Sequence, residues 1–293
     1  MATLKPYIWL ITIAAGWGLT LPLTKIAVST GHAHFGLIFW QLMIGAVFLG
    51  IITAVRRRGL PWNRQVVPFY VIIALIGTVL PNTASFQAIA ALPSGIVSIL
   101  LSSIPMLAFP IALILGLDQF SKTRLLGLML GLTAVLMIIG IPSALPDAAM
   151  LVFIPIGLIA PLMYAFEGNF VARWGTGGAG PIQLLCGASV VGSVIALPLA
   201  LGTRQFINPF MPWTGVEWAF VASSLIHATV YTAYVLIVRQ YGAIFSVQVS
   251  YLVTIFGIGW AMVILDESYT GPVWIALACM LAGMYLVRPK ETA

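Results

Sequence analysis

Residues 94–116 read SGIVSILLSSIPMLAFPIALILG and contain no charged side chain. An apolar run of about 20 residues is the length that an α-helix needs to cross the hydrocarbon core of a bilayer. Because lipid offers no hydrogen-bond partners, the backbone groups inside that core must be satisfied within their own segment, as they are in a helix. The stretch therefore predicts a transmembrane helix.

The composition extends this interpretation to nearly the whole chain. Of the 293 residues, 61% are hydrophobic and 7% are charged, and the mean hydropathy is +1.09, whereas soluble domains carry about a quarter charged residues. The net charge of +6 does not indicate nucleic-acid binding, because the basic residues lie between apolar runs without interleaved aromatic residues. Cys186 and Cys279 also lie in apolar runs, and neither a disulfide framework nor a metal site is predicted.

Similar apolar runs recur along the chain, and the connections between them are short and hold the Gly, Pro and charged residues. Residues 1–17 are interpreted as the start of an uncleaved first span, because the apolar stretch continues beyond them. The sequence thus predicts an all-α membrane protein with no soluble domain. The ten expected spans are 7–28, 34–55, 66–91, 94–116, 122–141, 150–173, 180–201, 214–238, 243–264 and 271–288.

Basic residues predict the orientation of these spans. Cytoplasmic loops of membrane proteins carry an excess of Lys and Arg. With a cytoplasmic N-terminus, eleven of the 13 basic residues fall on the inner side, and only Lys25 and Arg204 fall at the outer ends. Both termini are therefore expected in the cytoplasm, which agrees with an even number of spans.

Two segments 148 residues apart resemble each other. Residues 93–98 precede a long span that ends in Leu117-Asp118-Gln119, and residues 241–246 precede one that ends in Leu265-Asp266-Glu267. Internal repeats of this kind mark many secondary transporters, and with five spans in each copy the second copy must be inverted. The chain is therefore expected to consist of two inverted five-helix repeats, residues 1–145 and 146–293.

Glu167 is the most notable ionisable residue, because charged groups within a membrane are costly and usually functional. It lies within span 6, two residues before Asn169 and six residues before Arg173. One interpretation is a carboxylate that binds the amino group of a substrate or carries a coupled proton. The other is an interfacial residue that reaches headgroup water or pairs with Arg173. Lys25, one turn from the end of span 1, is interpreted as an interface anchor, with binding of a substrate carboxylate as the alternative.

Span 8 carries Ser223, His227, Tyr231 and Tyr234, whose spacing places them on one helical face. This face is expected to line a cavity. His227 has the residue type for a proton shuttle near neutral pH, but a neutral histidine bonded to a neighbouring helix explains the same pattern.

Hydroxyl and amide side chains form similar stripes in spans 3, 4 and 9. Stripes of small polar residues are at least as often packing surfaces as binding surfaces. If two inverted segments met at mid-membrane, however, these stripes would surround one cavity. They consist of Thr78, Asn82 and Ser85 around Pro81 in span 3, Ser98 and Ser102 in span 4, and Ser246, Ser250 and Thr254 in span 9.

Aromatic residues and prolines complete the candidates. Trp17, Trp40, Tyr164 and Tyr251 lie deep in their spans, where they could stack on an aromatic or cationic substrate, with ordinary packing as the alternative. Prolines inside helices create kinks, and we expect a gating role for Pro22, Pro105 and Pro110.

The pattern as a whole resembles the ten-span EamA-type branch of the drug/metabolite transporter superfamily. The resemblance rests on Trp17-Gly18, the entry to span 4 with Ser94, Ser98 and Pro105, and the acidic ends of spans 4 and 9. Gln119 replaces the Glu of the family's Leu-x-Glu, which Glu267 retains, and Gln41 stands where the family often has Arg. The likeness is greatest to bacterial exporters of aromatic and other amino acids.

This resemblance implies a multi-pass inner-membrane exporter with a central cavity, driven by an ion gradient or by exchange, without an enzymatic cofactor. We expect it to act as a monomer on a small-molecule substrate, amino acids above all, with a proton as a possible coupling ion. Export of hydrophobic cations or drugs, or a non-transport scaffold, remain alternatives. No HExxH or GxSxG motif indicates an intramembrane enzyme, and no filter loop indicates a channel.

Overall fold

The computed structural model describes residues 5–241 and 248–287, and within these ranges the regular structure is helical, without strands. Nine of the described helices are long and apolar enough to cross a membrane. A tenth, Gly271–Val287, is equally apolar and has 17 described residues. The predicted all-α membrane fold with ten helices is confirmed, and the chain is a multi-pass membrane protein.

The helices follow the predicted spans to within a few residues, and span 2 has the predicted bounds. Spans 3 and 4 are each built from shorter pieces. The spans, numbered in chain order, are Lys5–Val28, His34–Val55, Val67–Ala91, Ser94–Ile114, Lys122–Gly140, Phe153–Trp174, Pro181–Gly202, Gly215–Tyr241, Gln248–Leu265 and Gly271–Val287.

The interruptions in spans 3 and 4 lie directly before prolines. Span 3 contains a π-helical turn, Leu75–Val79, just before Pro81, and span 4 is broken at Ser102 and Ser103, just before Pro105. Proline lacks the N–H that would continue the helical ladder, and π turns are frequent at functional sites. Pro22 and Pro110, by contrast, lie inside continuous helices, so their expected gating role stays a prediction.

Side chains join the connections at each end of the bundle. At one end, His32 of connection 29–33 contacts Glu217, Lys25 contacts the end of span 3, and Thr270 bonds to Ser143. We call this end the Lys25 end. At the other end, Gln183 lies at the start of span 7, shortly after the end of span 6. Its side chain donates to the Gly59 carbonyl, in the connection between spans 2 and 3. We call this the Arg173 end.

The spans pack in matched sets. Span 1 lies against spans 8 and 9, span 6 lies against spans 3 and 4, and spans 4 and 9 touch each other. Spans 2 and 7 form one flanking pair, and spans 5 and 10 form the other. Large apolar side chains such as Ile51, Val194, Val263 and Ile275 are exposed on the outside, as expected of a surface that faces lipid.

Glycines allow the central helices to approach closely. A Cβ on Gly18 of span 1 would lie 2.7 Å from the backbone nitrogen of Gly257 in span 9. A Cβ on Gly257 would in turn meet Ser98 of span 4, with 3.1 Å to its Cβ. Small residues at helix contacts are the usual means of close packing in membranes. Spans 1, 4 and 9 therefore meet at one glycine junction.

Gly257→Leu is expected to destabilise the bundle by about 1–3 kcal/mol, the usual cost of overpacking a tight core. The matched control is Gly259→Leu in the same helix, because Gly259 is exposed and a Cβ there meets nothing within 4 Å. Thermal unfolding in detergent measures both variants. An equal fall in Tm for the two variants would contradict the junction.

Candidate functional site

One wall of the candidate site is an aromatic cluster between spans 1 and 8. The Trp17 ring meets the rings of His227, Tyr231 and Tyr234 edge-on, with centroids 5.8, 6.1 and 5.6 Å apart. The three partners are spaced i, i+4 and i+7, so one helical face presents them together. The predicted face of span 8 is thus turned towards span 1 and not towards lipid.

Ser223, one turn before His227, has a packing role on that same face. Its hydroxyl bonds to the Thr20 carbonyl at 3.1 Å and lies 3.0 Å from the Thr24 hydroxyl. Both atoms belong to span 1, and Ser223 is buried. These bonds fix span 8 against span 1 and thereby hold the aromatic cluster in place.

The opposite wall comes from spans 2, 3 and 6. The Tyr164 hydroxyl donates to Asn82 Oδ1 at 3.1 Å, and Asn82 Nδ2 donates to Gln41 Oε1 at 2.8 Å. Buried amides are stabilised when both ends are bonded in this way. Gln41, which the sequence marked only as a departure from a family pattern, orients Asn82 and is a site residue that sequence reasoning missed.

Glu167 of span 6 lies on this second wall. Its carboxyl group packs against Gly77 in the π-helical turn of span 3, where a Cβ would lie 2.6 to 3.0 Å from the carboxyl atoms. The carboxyl is close enough to the hydroxyls of Tyr164 and Tyr231 to interact with them electrostatically. Within residues 5–241 and 248–287, Glu167 forms no ion pair, so the alternative of pairing with Arg173 is not observed.

An electrostatic interaction between Glu167 and Tyr231 relates the two walls. Tyr231 belongs to span 8, whereas Glu167 belongs to span 6. Polar and aromatic side chains of both walls are therefore brought near each other. We call this the central site, and it comprises Trp17, Asn82, Tyr164, Glu167, His227, Tyr231 and Tyr234.

Other candidates from the sequence lie apart from these seven. In the hydroxyl stripes of spans 4 and 9, Ser98 Oγ donates to the Thr254 carbonyl of the neighbouring helix at 3.3 Å, and the Thr254 hydroxyl donates to the Ser250 carbonyl within span 9. Tyr251 packs against the main apolar core. Roles for Ser250 and Tyr251 in substrate binding stay predictions.

Ser85, Ser246, Pro105 and Trp40 have other positions. Ser85 is buried in span 3, and Ser246 lies outside the described residues. Pro105 starts the second piece of span 4, which packs on span 6. Trp40 donates its Nε1–H to the Ile207 carbonyl at 2.9 Å, so it anchors connection 203–214 instead of lining the central site.

A second polar cluster closes the Lys25 end of the bundle. Glu267, in the connection between spans 9 and 10, accepts hydrogen bonds from the backbone nitrogens of Ser94 at 2.8 Å and Gly95 at 3.3 Å. The first N–H groups of a helix lack intrahelical partners, and a carboxylate there also complements the helix dipole. A residue of the second half of the chain thus caps span 4 of the first half.

Tyr269 and Lys25 reinforce this cap. The Tyr269 hydroxyl donates to Glu267 and accepts from the Gly95 nitrogen at 3.0 Å. Burial, followed by the bond to Glu267, raises the pKa of Tyr269, so the phenol stays protonated and able to donate. Lys25 Nζ donates to the Ala90 and Leu92 carbonyls at 3.0 and 2.9 Å. We call Lys25, Ser94, Gly95, Glu267 and Tyr269 the clasp.

Comparison with known proteins agrees with this architecture. No curated protein matches the chain. A structure described as "Crystal structure of protein" is similar over 97% of this chain and 97% of its own, with a TM-score of 0.64 and 16% identity, a likeness in fold alone. Residues 4–140 match the model of the EamA-like transporter family, so the first half of the chain is similar to that family.

Proposed function

We propose that this chain is a secondary transporter that exports small polar metabolites, amino acids above all, through the central site. The observation that carries the proposal is the position of Glu167, a carboxyl group deep in the bundle that faces the aromatic wall of another helix pair. Ionisable residues in such positions usually mark substrate or ion pathways.

The central site has partners for each part of an amino acid. Glu167 attracts a protonated amino group, and the faces of Trp17 and the tyrosines favour a cation or an aromatic side chain. The Asn82 amide, already oriented by Gln41, and the tyrosine hydroxyls can bond a carboxylate. A proton on Glu167 competes with the amino group, so the same carboxyl can couple transport to a proton gradient.

A second candidate is export of hydrophobic cations. It is favoured by the charge of the central site, because among the seven residues Glu167 supplies the negative charge and no Lys or Arg balances it. A lipophilic cation needs only this carboxylate and the aromatic faces, whereas an amino acid also needs the amide and hydroxyl groups.

The fold suits alternating access between two halves, residues 1–145 and 146–293. In an inverted repeat of five spans, span 6 corresponds to span 1, and spans 8 and 9 correspond to spans 3 and 4. Span 1 packs on spans 8 and 9, and span 6 packs on spans 3 and 4, so the packing is the same when the halves are exchanged. This symmetry supports the inverted repeat. The π turn of span 3 and the break in span 4 provide places where helices can bend.

The clasp gives this cycle one gate. We place the chain in the inner membrane, as the resemblance to EamA-type transporters implies. We place both termini in the cytoplasm, following the bias of basic residues, so the Lys25 end faces outward. In the described state the clasp holds that end closed. Release of substrate to the outside then requires Glu267 to separate from the start of span 4.

The first test is exchange in proteoliposomes preloaded with a mixture of unlabelled amino acids. We expect labelled aromatic or neutral amino acids to accumulate by counterflow, and unlabelled ones to compete. Accumulation of lipophilic cations without any amino-acid exchange would support the second candidate. Absence of transport for both classes, under every imposed gradient, would reject the proposal.

A further inference from the structure

A cavity opens at the Lys25 end of the bundle, where the residues of the central site do not line it. It has a volume of about 560 Å³ and lies between connection 29–33 and connection 203–214, a size that suits a small organic solute. Connection 203–214 is 12 residues long, about twice the usual length of roughly 4–6, and loops of this kind without secondary structure are often functional. We call this cavity the end pocket.

Hydrogen bonds from span 2 hold the walls of the end pocket. The Phe35 nitrogen donates to Gln205 Oε1 at 2.9 Å, and Trp40 Nε1 donates to the Ile207 carbonyl at 2.9 Å. The Phe206 ring lies against Phe39 and Trp40, with centroids 5.7 and 6.0 Å apart. The long connection is thus fixed in place, so binding a solute requires little ordering of the loop.

Glu217, the acidic residue that lines the pocket, is already hydrogen-bonded within the protein. Glu217 Oε2 accepts from the Thr214 nitrogen at 2.7 Å and from its hydroxyl at 2.6 Å, and the Thr214 hydroxyl accepts from the Val216 nitrogen. This is a capping arrangement at the start of span 8. The other oxygen, Oε1, lies 2.8 Å from His32 Nε2. Glu217 therefore orients His32 towards the pocket and keeps little capacity for a ligand cation.

Arg204 is a charged residue of the end pocket that is available to pair with a ligand. It lines the cavity, is exposed, and forms no ion pair in the part of the chain that the structure describes. Its φ of 58° is a left-handed conformation that costs a non-glycine residue about 1–2 kcal/mol. Arg204 also departs from the bias of basic residues towards the opposite end, and the other exception, Lys25, is bonded to carbonyls.

We infer that the end pocket binds the carboxylate of a small organic acid or amino acid that carries an apolar side chain. The Arg204 guanidinium pairs with the carboxylate, as this group commonly does, and Trp213 and Phe206, which also line the cavity, contact the apolar part. The central site attracts the opposite charge, an amino group. This inference does not depend on transport, because binding to the end pocket is measurable on purified protein.

The test measures equilibrium binding of two aromatic probes to the protein in nanodiscs of zwitterionic lipid. Indole-3-propionate carries only a carboxylate, and tryptamine carries only an amino group. We expect Arg204→Gln to weaken indole-3-propionate binding at least about tenfold, the usual effect of losing one charge-assisted bond. Glu167→Gln is expected to weaken tryptamine binding, and not to weaken the binding of indole-3-propionate.

Arg57→Gln is the matched control, because Arg57 is exposed and also adopts a left-handed conformation, with φ 51°, at the end of span 2. It is expected to bind both probes as the native protein does. Unchanged affinity of Arg204→Gln, or loss of indole-3-propionate binding in Glu167→Gln, would overturn the inference. Glycerol 3-phosphate is a further competitor. If it displaces indole-3-propionate and binds with an equal affinity, the pocket is a lipid-headgroup site, and this result would also overturn the inference.

Discussion

Glu167→Gln is expected to lower the rate of amino-acid exchange in proteoliposomes at least about 30-fold. Glutamine has nearly the shape of the carboxyl group, so the fit against Gly77 is kept and only the negative charge is lost. Removing one partner of a buried charged pair costs about 2–5 kcal/mol, and each 1.4 kcal/mol corresponds to a factor of about ten. The remaining exchange should also lose its dependence on pH, because no proton can then compete with the substrate at this position.

Asp147→Asn serves as the control for Glu167→Gln, because Asp147 accepts a hydrogen bond from the Ala149 nitrogen in a short turn before span 6, away from the central site. It is expected to exchange amino acids at the native rate. An independent check is Gly77→Ala, whose Cβ would lie 2.6 Å from Glu167 Oε1 and would displace the carboxyl. Native exchange in Glu167→Gln, with an unchanged pH profile, would reduce Glu167 to a structural role.

Glu267→Gln is expected to open the Lys25 end of the bundle. The change removes the charged cap from the backbone nitrogens of Ser94 and Gly95, and caps of this kind contribute about 0.5–2 kcal/mol. If that stabilisation is specific to the closed state, its loss shifts the population towards the open state by roughly 2- to 30-fold. Ser98, which is buried one turn below the cap, should then become accessible from the outside.

This shift can be measured by the labelling rate of a Ser98→Cys variant with a membrane-impermeant maleimide, after Cys186 and Cys279 are replaced by alanine. Asp266→Asn is the matched control, because Asp266 is the exposed acidic neighbour of Glu267 and its φ of 52° suits asparagine. Glu267→Gln should label several times faster than Asp266→Asn. Equal labelling rates would mean that the clasp does not gate this end.

Much of the fold could be predicted from the sequence, because the cost of exposing polar groups to lipid is a local property. The predicted end of span 2 agrees with the helix His34–Val55 because a charged run, Gly59 and Pro61 follow it. The π turn at Leu75–Val79 was not predictable in this way. Hydropathy does not distinguish a π turn from an α-helical one, and only the expected kink near Pro81 gave a hint.

The central site was predicted in part. Spacing along span 8 placed His227, Tyr231 and Tyr234 on one face, and the rarity of charge within spans identified Glu167. The role of Gln41, which bonds to Asn82 across 41 residues of sequence, depends on how spans 2 and 3 pack, and no periodicity within one helix reports that. The same reason explains why Glu267 could be recognised as part of a family motif but not as a cap on span 4.

The cap of Glu267 on Ser94 also has a consequence for biosynthesis. The two residues are 173 positions apart, and a ribosome delivers the N-terminal spans to the membrane first. Span 4 therefore enters the bilayer with its leading amide groups unpaired and waits for the ninth and tenth spans before they are satisfied. A nascent chain that stops short of residue 267 lacks this partner, so the start of span 4 is capped only after residue 267 has been made.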